Sequence, residues 1–157
     1  MIIHVLDQTL QRVGVVDSFS SIIWRPAYYD IGDFELYLDA TKAAIDLLKP
    51  GRYLVRDVDV SVIGEPTIYR KVMMIQGIDI ITDEEDGDHI SVTGKELKSI
   101  LHQRIVWQQT TLTGTAEDGI YQLVTENAIS PADPARVIPL LTIGAARGFS
   151  DSIDKQI

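Results

Sequence analysis

The densest group of residues that could bind an ion is the acidic run Asp83-Glu84-Glu85-Asp86-Gly87-Asp88. A calcium loop needs oxygen ligands at regular spacing and a bidentate carboxylate about twelve positions from its start. Aligning Glu84, Asp86 and Gly87 with that pattern places Thr93 at the final position, where a threonine cannot chelate in a bidentate way. We interpret residues 83–88 as an exposed hairpin tip whose Asp-Gly pair sets the turn. Weak binding of a divalent cation there is the alternative, and we predict no metal site.

Catalytic chemistry has no candidate set in the sequence. His4, His89 and His102 fall on three different predicted elements and lack the spacing that puts two metal ligands on one helix face. No serine lies in a Gly-x-Ser-x-Gly elbow, and no Gly-x-x-x-x-Gly-Lys segment is present to hold a phosphate. Because carboxylates are abundant in an acidic chain, their spacing alone identifies no acid/base pair. We expect no enzymatic activity and no cofactor.

Aromatic residues are the best candidates for a binding surface. Aromatic side chains that carry a polar end are enriched at protein interfaces and can also stack on sugars. We favour packing within a half-buried sheet, followed by a contact between subunits and then by a carbohydrate platform. The candidate interface residues are Trp24, Tyr28, Tyr29, Tyr37 and Tyr53.

Composition predicts about one globular domain. The chain has 157 residues, 45% of them hydrophobic, and a formal net charge of −9 that argues against a general nucleic-acid binder. It contains no cysteine, which excludes disulfides and thiolate metal sites. The first residues lack the features of a signal peptide, and no apolar run approaches the roughly 20 residues of a membrane span. We expect synthesis in the cytoplasm and no membrane span.

Apolar alternation predicts antiparallel hairpins. The first hairpin joins residues 2–6 to residues 12–16. The second joins the run 22–29, through a tight turn at residues 30–33, to residues 34–38. Within that last run, alternation predicts a buried face formed by Phe34, Leu36 and Leu38. Further strands are predicted at residues 51–56, from about 69 to 82, at 89–93 and from 105 onwards.

Three short helices are also predicted. The second of them follows the spacing Thr93-x-x-Glu96, which is typical of a capping box at a helix start. The helices span residues 41–48, about 95–103 and about 115–127. Strands interrupted by short helices indicate a mainly β or α+β fold with antiparallel pairing, and a β-barrel-like domain would remove exposed sheet edges.

The last thirty residues predict a change in organisation. Three prolines and a glycine-rich segment, Gly144-Ala145-Ala146-Arg147-Gly148, are typical of an extended connector. We therefore predict a β-rich domain over residues 1–130, a connector over 131–148, and the truncated start of a following segment at 149–157.

Several segments, taken in their order, resemble the N-terminal region of siphophage and prophage tail-associated proteins. The resemblance covers residues 2 to about 143 and begins with the pattern W…R.YY..GDFEL.L around Trp24. It continues through residues 47–54, 92–101, 104–107, 112–117 and 126–129.

The resemblance implies a structural protein of the phage or prophage tail tip. Related hub proteins contain barrel-bearing N-terminal regions that form a trimeric ring beneath the distal tail ring. It therefore implies location in the virion tail and contacts with copies of itself, with the distal tail protein and with other tail-tip proteins. A carbohydrate- or receptor-binding tail module is the alternative, and a domain associated with cell-wall hydrolysis is a more distant one.

Overall fold

The computed structural model describes residues 1–57, 71–83 and 87–156, and the chain divides into two compact units. Unit 1 is Met1–Ser99 and unit 2 is Ile100–Ile157. Unit 1 carries a seven-stranded sheet and unit 2 a two-stranded sheet. Within the described ranges, no helix is long and apolar enough to cross a membrane.

Unit 1 is built on one antiparallel sheet, which confirms the mainly β prediction and both early hairpins. Its strands are β1 (Ile3–Leu6), β2 (Arg12–Val16), β3 (Ser21–Arg25), β4 (Asp33–Asp39), β5 (Tyr53–Arg56), β6 (Met73–Asp83) and β7 (Gly87–Glu96). The strand order is β2-β1-β5-β6-β7-β4-β3, so β2 and β3 are the edges. Two predictions fall partly outside the described residues. They are the start of the strand predicted from about residue 69 (residues 69 and 70) and the centre of the acidic turn (residues 84–86).

A short connection forces this sheet to curl. β2 ends at Val16 and β3 begins at Ser21, yet these two strands are the opposite edges of the sheet. In a flat sheet, six inter-strand spacings would separate the edges by about 29 Å. The chain from Val16 to Ser21 can span at most about 19 Å. The sheet is therefore rolled, but no pairing between β2 and β3 closes it among the described strands, so the predicted barrel is not confirmed.

The core of unit 1 lies on one face of the rolled sheet. In β4, Phe34, Leu36 and Leu38 are buried while Glu35 is exposed, which confirms the predicted alternation. The same cluster takes in Leu48 and buried side chains from five other strands. These side chains are Ile3, Val5, Val16, Leu54, Met73, Ile75, Ile90 and Val92.

Helix α1 (Lys42–Leu47) packs on edge strand β2. The Thr41 hydroxyl accepts the Ala44 N–H at 3.1 Å and caps the helix start, as expected for a threonine at this position. A Cβ atom at Gly14 of β2 would come within 2.6 Å of Leu47 Cδ1, so the absent side chain lets the helix approach the strand. The predicted helix over residues 41–48 is confirmed.

Gly94 allows the central strands to approach closely. It lies opposite Phe34 of β4 and Ile75 of β6. A Cβ atom there would overlap the Met74 carbonyl oxygen and come within 2.6 Å of the Phe34 ring. The register of β6 shifts between Ile75 and Gly77, and such a bulge increases local bending and twist.

Unit 2 pairs a small sheet with a capped helix. Strands β8 (Thr111–Thr115) and β9 (Ser152–Gln156) pair antiparallel. Its helical elements are α2 (Ser99–His102, which begins in unit 1), α3 (Ala116–Val124), a π-helical turn (Thr125–Ile129) and a 3-10 turn (Pro134–Arg136). Thr115 and Asp118 form a capping box at the start of α3.

A buried carboxylate holds the segment that precedes β9. Glu117 accepts the backbone N–H groups of Arg147 at 2.6 Å, Gly148 at 2.8 Å and Phe149 at 3.2 Å. The hydrogen bond from Arg147, with those from Tyr121, Gly148 and Phe149, outweighs burial and lowers the Glu117 pKa. Residues 131–157, which include the predicted connector and following segment, belong to unit 2.

Two other predictions require correction. Thr93 and Glu96 do not cap a helix over residues 95–103, because β7 continues through Glu96 and α2 has four residues. Thr93 is instead paired with Glu35 and Gly77 in the sheet. The strand predicted from residue 105 is absent at residues 105–107, and β8 begins at Thr111.

A matched pair of isoleucines tests the location of the core. Ile90 is fully buried, and Ile80, directly opposite on β6, is 61% exposed. We expect Ile90→Ala to lower the free energy of unfolding by about 2–5 kcal/mol because it leaves a cavity. We expect Ile80→Ala to lower it by less than about 1 kcal/mol. Urea unfolding measures both, and equal losses would contradict the assignment of Ile90, and not Ile80, to the core.

Candidate interaction surface

The five aromatic candidates separate into two groups. Trp24, Tyr37 and Tyr53 are half-buried on strands of the sheet. Tyr28 and Tyr29 lie in the loop of residues 26–32 between β3 and β4, where they are 88% and 98% exposed. Their rings meet edge to face with centroids 4.8 Å apart. The sequence predicted one aromatic group, and of its five members the structure exposes Tyr28 and Tyr29 fully.

Two of the other aromatic residues, Trp24 and Tyr37, contribute to sheet packing. Trp24 lies opposite Phe34 in the β3–β4 register, with ring centroids 5.8 Å apart. The Arg56 guanidinium lies 5.1 Å from the centroid of the indole. Tyr37 stacks on His89 of the neighbouring strand at 5.0 Å. Packing, the interpretation favoured from the sequence, therefore accounts for Trp24 and Tyr37.

The loop of residues 26–32, here called the tyrosine loop, is longer than the sequence predicted. Strand β3 ends at Arg25 because Pro26 cannot donate a backbone hydrogen bond to the ladder. The two strands resume pairing only at Asp33, which faces Arg25 in the register. The Arg25 Nε donates to Asp33 Oδ1 at 2.6 Å and closes the base of the loop. The connection is therefore a seven-residue loop and not the tight turn expected at residues 30–33.

An ionic cluster around one buried carboxylate fixes this loop from below. Glu96, at the end of β7, is buried and accepts the Gly32 N–H at 3.0 Å. Lys98 Nζ lies 2.7 Å from Glu96 Oε2, and Lys71 Nζ lies 3.3 Å from Oε1. The same two ammonium groups donate to the Ala27 carbonyl oxygen, at 2.7 Å from Lys98 and 3.5 Å from Lys71. Both ends of the loop are thus tied to one carboxylate.

Gly32 is required by the closeness of these contacts. A Cβ atom at this position would overlap the Arg25 carbonyl oxygen and lie 2.9 Å from both the Ala27 nitrogen and the Glu96 Cδ. The residue can therefore reach the carboxylate only without a side chain. A larger residue would separate the loop from its anchor.

The environment of Glu96 keeps its carboxyl group ionised. Burial alone would raise its pKa, because an ionised group is less stable away from water. The hydrogen bonds from Lys98, Gly32 and Lys71, and the charge of Lys71, outweigh burial and lower the pKa of Glu96. The negative charge is therefore present at neutral pH, when it is needed to hold both lysines.

The arrangement is suited to binding. Tyrosine offers a large apolar face and a hydroxyl group, and a loop already fixed in place loses little entropy on association. In the part of the chain that the structure describes, no three His, Asp or Glu residues are grouped so that they could hold a metal ion. The three histidines lie on β1, β7 and α2, and the structure does not bring them together.

Sequence reasoning missed the residues that organise the loop. Glu96 was interpreted as a helix cap, and Lys71 and Lys98 were not singled out. Lys71 and Lys98 are 27 positions apart, and Gly32 lies 39 positions before Lys71. No local sequence pattern therefore links these residues. The available signal was an acidic residue between two lysines, Lys95-Glu96-Leu97-Lys98, beside a predicted strand.

Comparison with protein-family models gives a match over nearly the whole chain. A family model described as Siphovirus ReqiPepy6 Gp37-like protein matches residues 2–153. No curated protein matches the chain. The family match confirms the resemblance to siphophage proteins that the sequence segments indicated.

Replacing Glu96 by glutamine tests the ionic anchor. We expect Glu96→Gln to lower the free energy of unfolding at pH 7 by about 1–3 kcal/mol, because the two ammonium groups lose a buried charged acceptor. Glu35→Gln is the matched control, since Glu35 is an exposed carboxylate in the same sheet. Urea unfolding of both variants measures the difference.

The difference in the free energy of unfolding between the wild type and Glu96→Gln should also depend on pH. Because the folded-state pKa of Glu96 is lowered, its stabilisation is complete above the unfolded pKa of about 4.3 and is lost as the pH falls through the folded value. The gap between the wild type and Glu96→Gln should therefore be constant near neutrality and close below about pH 4. A gap that is absent at pH 7, or that widens in acid, would contradict this account.

Proposed function

The chain belongs to the Siphovirus ReqiPepy6 Gp37-like protein family, and on that premise we propose that it is a structural assembly module of a siphophage or prophage tail tip. The observation that carries the proposal is the exposure of Tyr28 and Tyr29, at 88% and 98%, in a loop whose two ends are tied to the buried Glu96 carboxylate. In this role the chain is part of the virion tail and has no enzymatic activity.

The exposed tyrosines favour a protein partner. Two adjacent aromatic rings in water add nothing to the core, whereas tyrosine is among the residues that dominate the binding energy of protein interfaces. A buried carboxylate and two lysines are used to hold the loop in one shape. Such preorganisation is useful only if a partner reads that shape.

The edges of the rolled sheet offer a second surface. Among the described strands, the edge strands β2 and β3 are each paired on one side only. Exposed apolar residues lie on both edges: Val13, Val15 and Ile23. An edge of this kind is a template for pairing with a strand of another chain. It therefore complements the tyrosine loop as a contact region.

Two different surfaces suit a ring. A head-to-tail interface joins unlike surfaces of neighbouring subunits, and it closes into a ring when the rotation between the subunits allows it. We propose that the tyrosine loop and a sheet edge supply such a pair, with a trimer as the expected order. The ring would act as a hub that contacts the distal tail protein and links it to the parts that recognise the host.

Cross-linking in assembled particles tests this proposal. A photo-reactive phenylalanine analogue at Tyr29 of the full-length protein should, on irradiation of purified virions, cross-link to another copy of the protein or to a second tail protein. The matched control carries the analogue at Leu10, an exposed apolar residue in the first hairpin turn. Mass spectrometry identifies the products, and Tyr29 should give at least about tenfold more product than Leu10.

A double substitution supplies the functional readout. We expect Tyr28→Ala/Tyr29→Ala to reduce incorporation into particles at least about tenfold, because interface tyrosines contribute about 2 kcal/mol or more. Thermal unfolding of the variant should match that of the wild type, since both side chains are exposed. Absence of the protein from purified virions would refute the structural role. Its presence without a Tyr29 cross-link would refute the tyrosine loop as the interface.

A further inference from the structure

Trp107 combines exposure with a fixed position. Its side chain belongs to a segment outside any strand, and the residue is 69% exposed. Its backbone N–H donates to Asn127 Oδ1 at 3.1 Å. Asn127 is buried, and its Nδ2 donates to the Leu123 carbonyl oxygen at 3.0 Å, which fixes the direction of the amide. The most exposed tryptophan of the chain is thus attached to a buried residue of unit 2.

Arg136 holds the indole itself. Its guanidinium carbon lies 5.2 Å from the centroid of the Trp107 ring, within the range of a cation–π contact. The guanidinium is fixed in turn because its Nη2 donates to the Ile105 carbonyl oxygen at 2.6 Å. The Arg136 carbonyl oxygen accepts from Arg104 Nε at 2.9 Å. The guanidinium therefore contacts the indole, while much of the ring surface stays open to solvent.

A polar cavity lies beside this indole. Its volume is about 480 Å³, and its lining includes Trp107, Gln108, Glu126, Asp133 and Arg136. Small-molecule sites commonly occupy about 300–1,000 Å³. The lining thus combines one aromatic surface with carboxylates, amides and a guanidinium group.

An unusual backbone conformation places two of these polar residues. Glu126 and Asn127 lie in the π-helical turn Thr125–Ile129 that follows α3. The carboxylate of Glu126 is held at both oxygens, by the Thr110 hydroxyl at 2.8 Å and by Gln122 Nε2 at 2.9 Å. Single π-helical turns are rare and are found often at functional sites. The turn is an observation independent of the exposed tryptophan, and both mark the same cavity.

The chemistry of the lining selects a class of ligand. A pyranose ring has an apolar C–H face that can lie on an indole and a rim of hydroxyl groups that both donate and accept hydrogen bonds. Carboxylates accept from such hydroxyls, while amide and guanidinium groups donate to them. Anionic ligands are disfavoured by Glu126, Asp133 and the net charge of −9. A purely apolar ligand would leave the polar lining unpaired.

We propose that the Trp107 cavity of unit 2 is a binding site for a neutral saccharide. The indole stacks on one sugar ring, Arg136 holds the indole in place, and Gln108 and Asp133 bind the hydroxyl rim. This inference goes beyond the assembly role and does not depend on it, because the site lies in unit 2 and the tyrosine loop lies in unit 1.

Tryptophan fluorescence tests the site directly. The chain has two tryptophans, so Trp24→Phe leaves Trp107 as the only indole. We expect maltotriose or the trimer of N-acetylglucosamine, added to the whole chain, to change the Trp107 emission in a saturable way at millimolar concentration or below. A hyaluronan tetrasaccharide is the anionic probe, and it should have no effect at the same concentration.

Calorimetric titration of variants then separates the site from the rest of the surface. Trp107→Ala should weaken the binding of the responding saccharide at least about tenfold, which corresponds to about 1.4 kcal/mol. Arg136→Lys should weaken it by a smaller factor, since lysine keeps the charge but not the planar group over the ring. Phe149→Ala is the matched control, because Phe149 is an exposed aromatic residue of the same unit and lies outside the cavity lining. It should bind as the wild type does.

Three results would overturn the proposal. One is the absence of any emission change with either neutral saccharide. Another is unchanged binding in Trp107→Ala, with thermal unfolding confirming that this variant is folded. The third is binding of the anionic probe alone.

Discussion

The contact between Glu96 and two lysines determines how unit 1 presents its surface. Glu96 ends β7, Lys71 precedes β6, and Lys98 follows β7, so one carboxylate joins the ends of two central strands. The same carboxylate accepts the Gly32 N–H, and both lysines donate to the Ala27 carbonyl oxygen. Removing either lysine would leave the buried Glu96 carboxylate with one compensating charge fewer. These contacts therefore attach both ends of the tyrosine loop to the sheet.

The rolled sheet explains why that loop and the edges can work as separate contact regions. Because residues 17–20 connect opposite edges, β2 and β3 are drawn towards each other without pairing. Each edge keeps unpaired backbone groups, and α1 packs on the β2 side. Full closure would have removed both edges and with them the capacity to add a strand from another chain. An incompletely closed sheet is thus consistent with a module that assembles with neighbours.

Local patterns in the sequence predicted the parts of the fold that depend on local chemistry. Alternation identified the buried face of β4, and Thr41 marked the start of α1, because each depends on residues close in the chain. The Thr93-x-x-Glu96 spacing suited a helix cap equally well, but pairing on both sides of β7 and the ionic cluster held these residues in a strand. Trp107 was expected in a strand, whereas Asn127 takes its backbone N–H. Contacts between distant segments decided these cases, and single-sequence patterns do not encode them.

The most direct test of the central claim is a cryo-electron microscopy map of the intact virion at side-chain resolution. The account predicts that this chain lies in the tail tip and that Tyr28 and Tyr29 are buried against a neighbouring chain, with the loop in the conformation held by Glu96. A map in which the chain is present but both tyrosines face solvent, or in which the chain is absent from the particle, would contradict it.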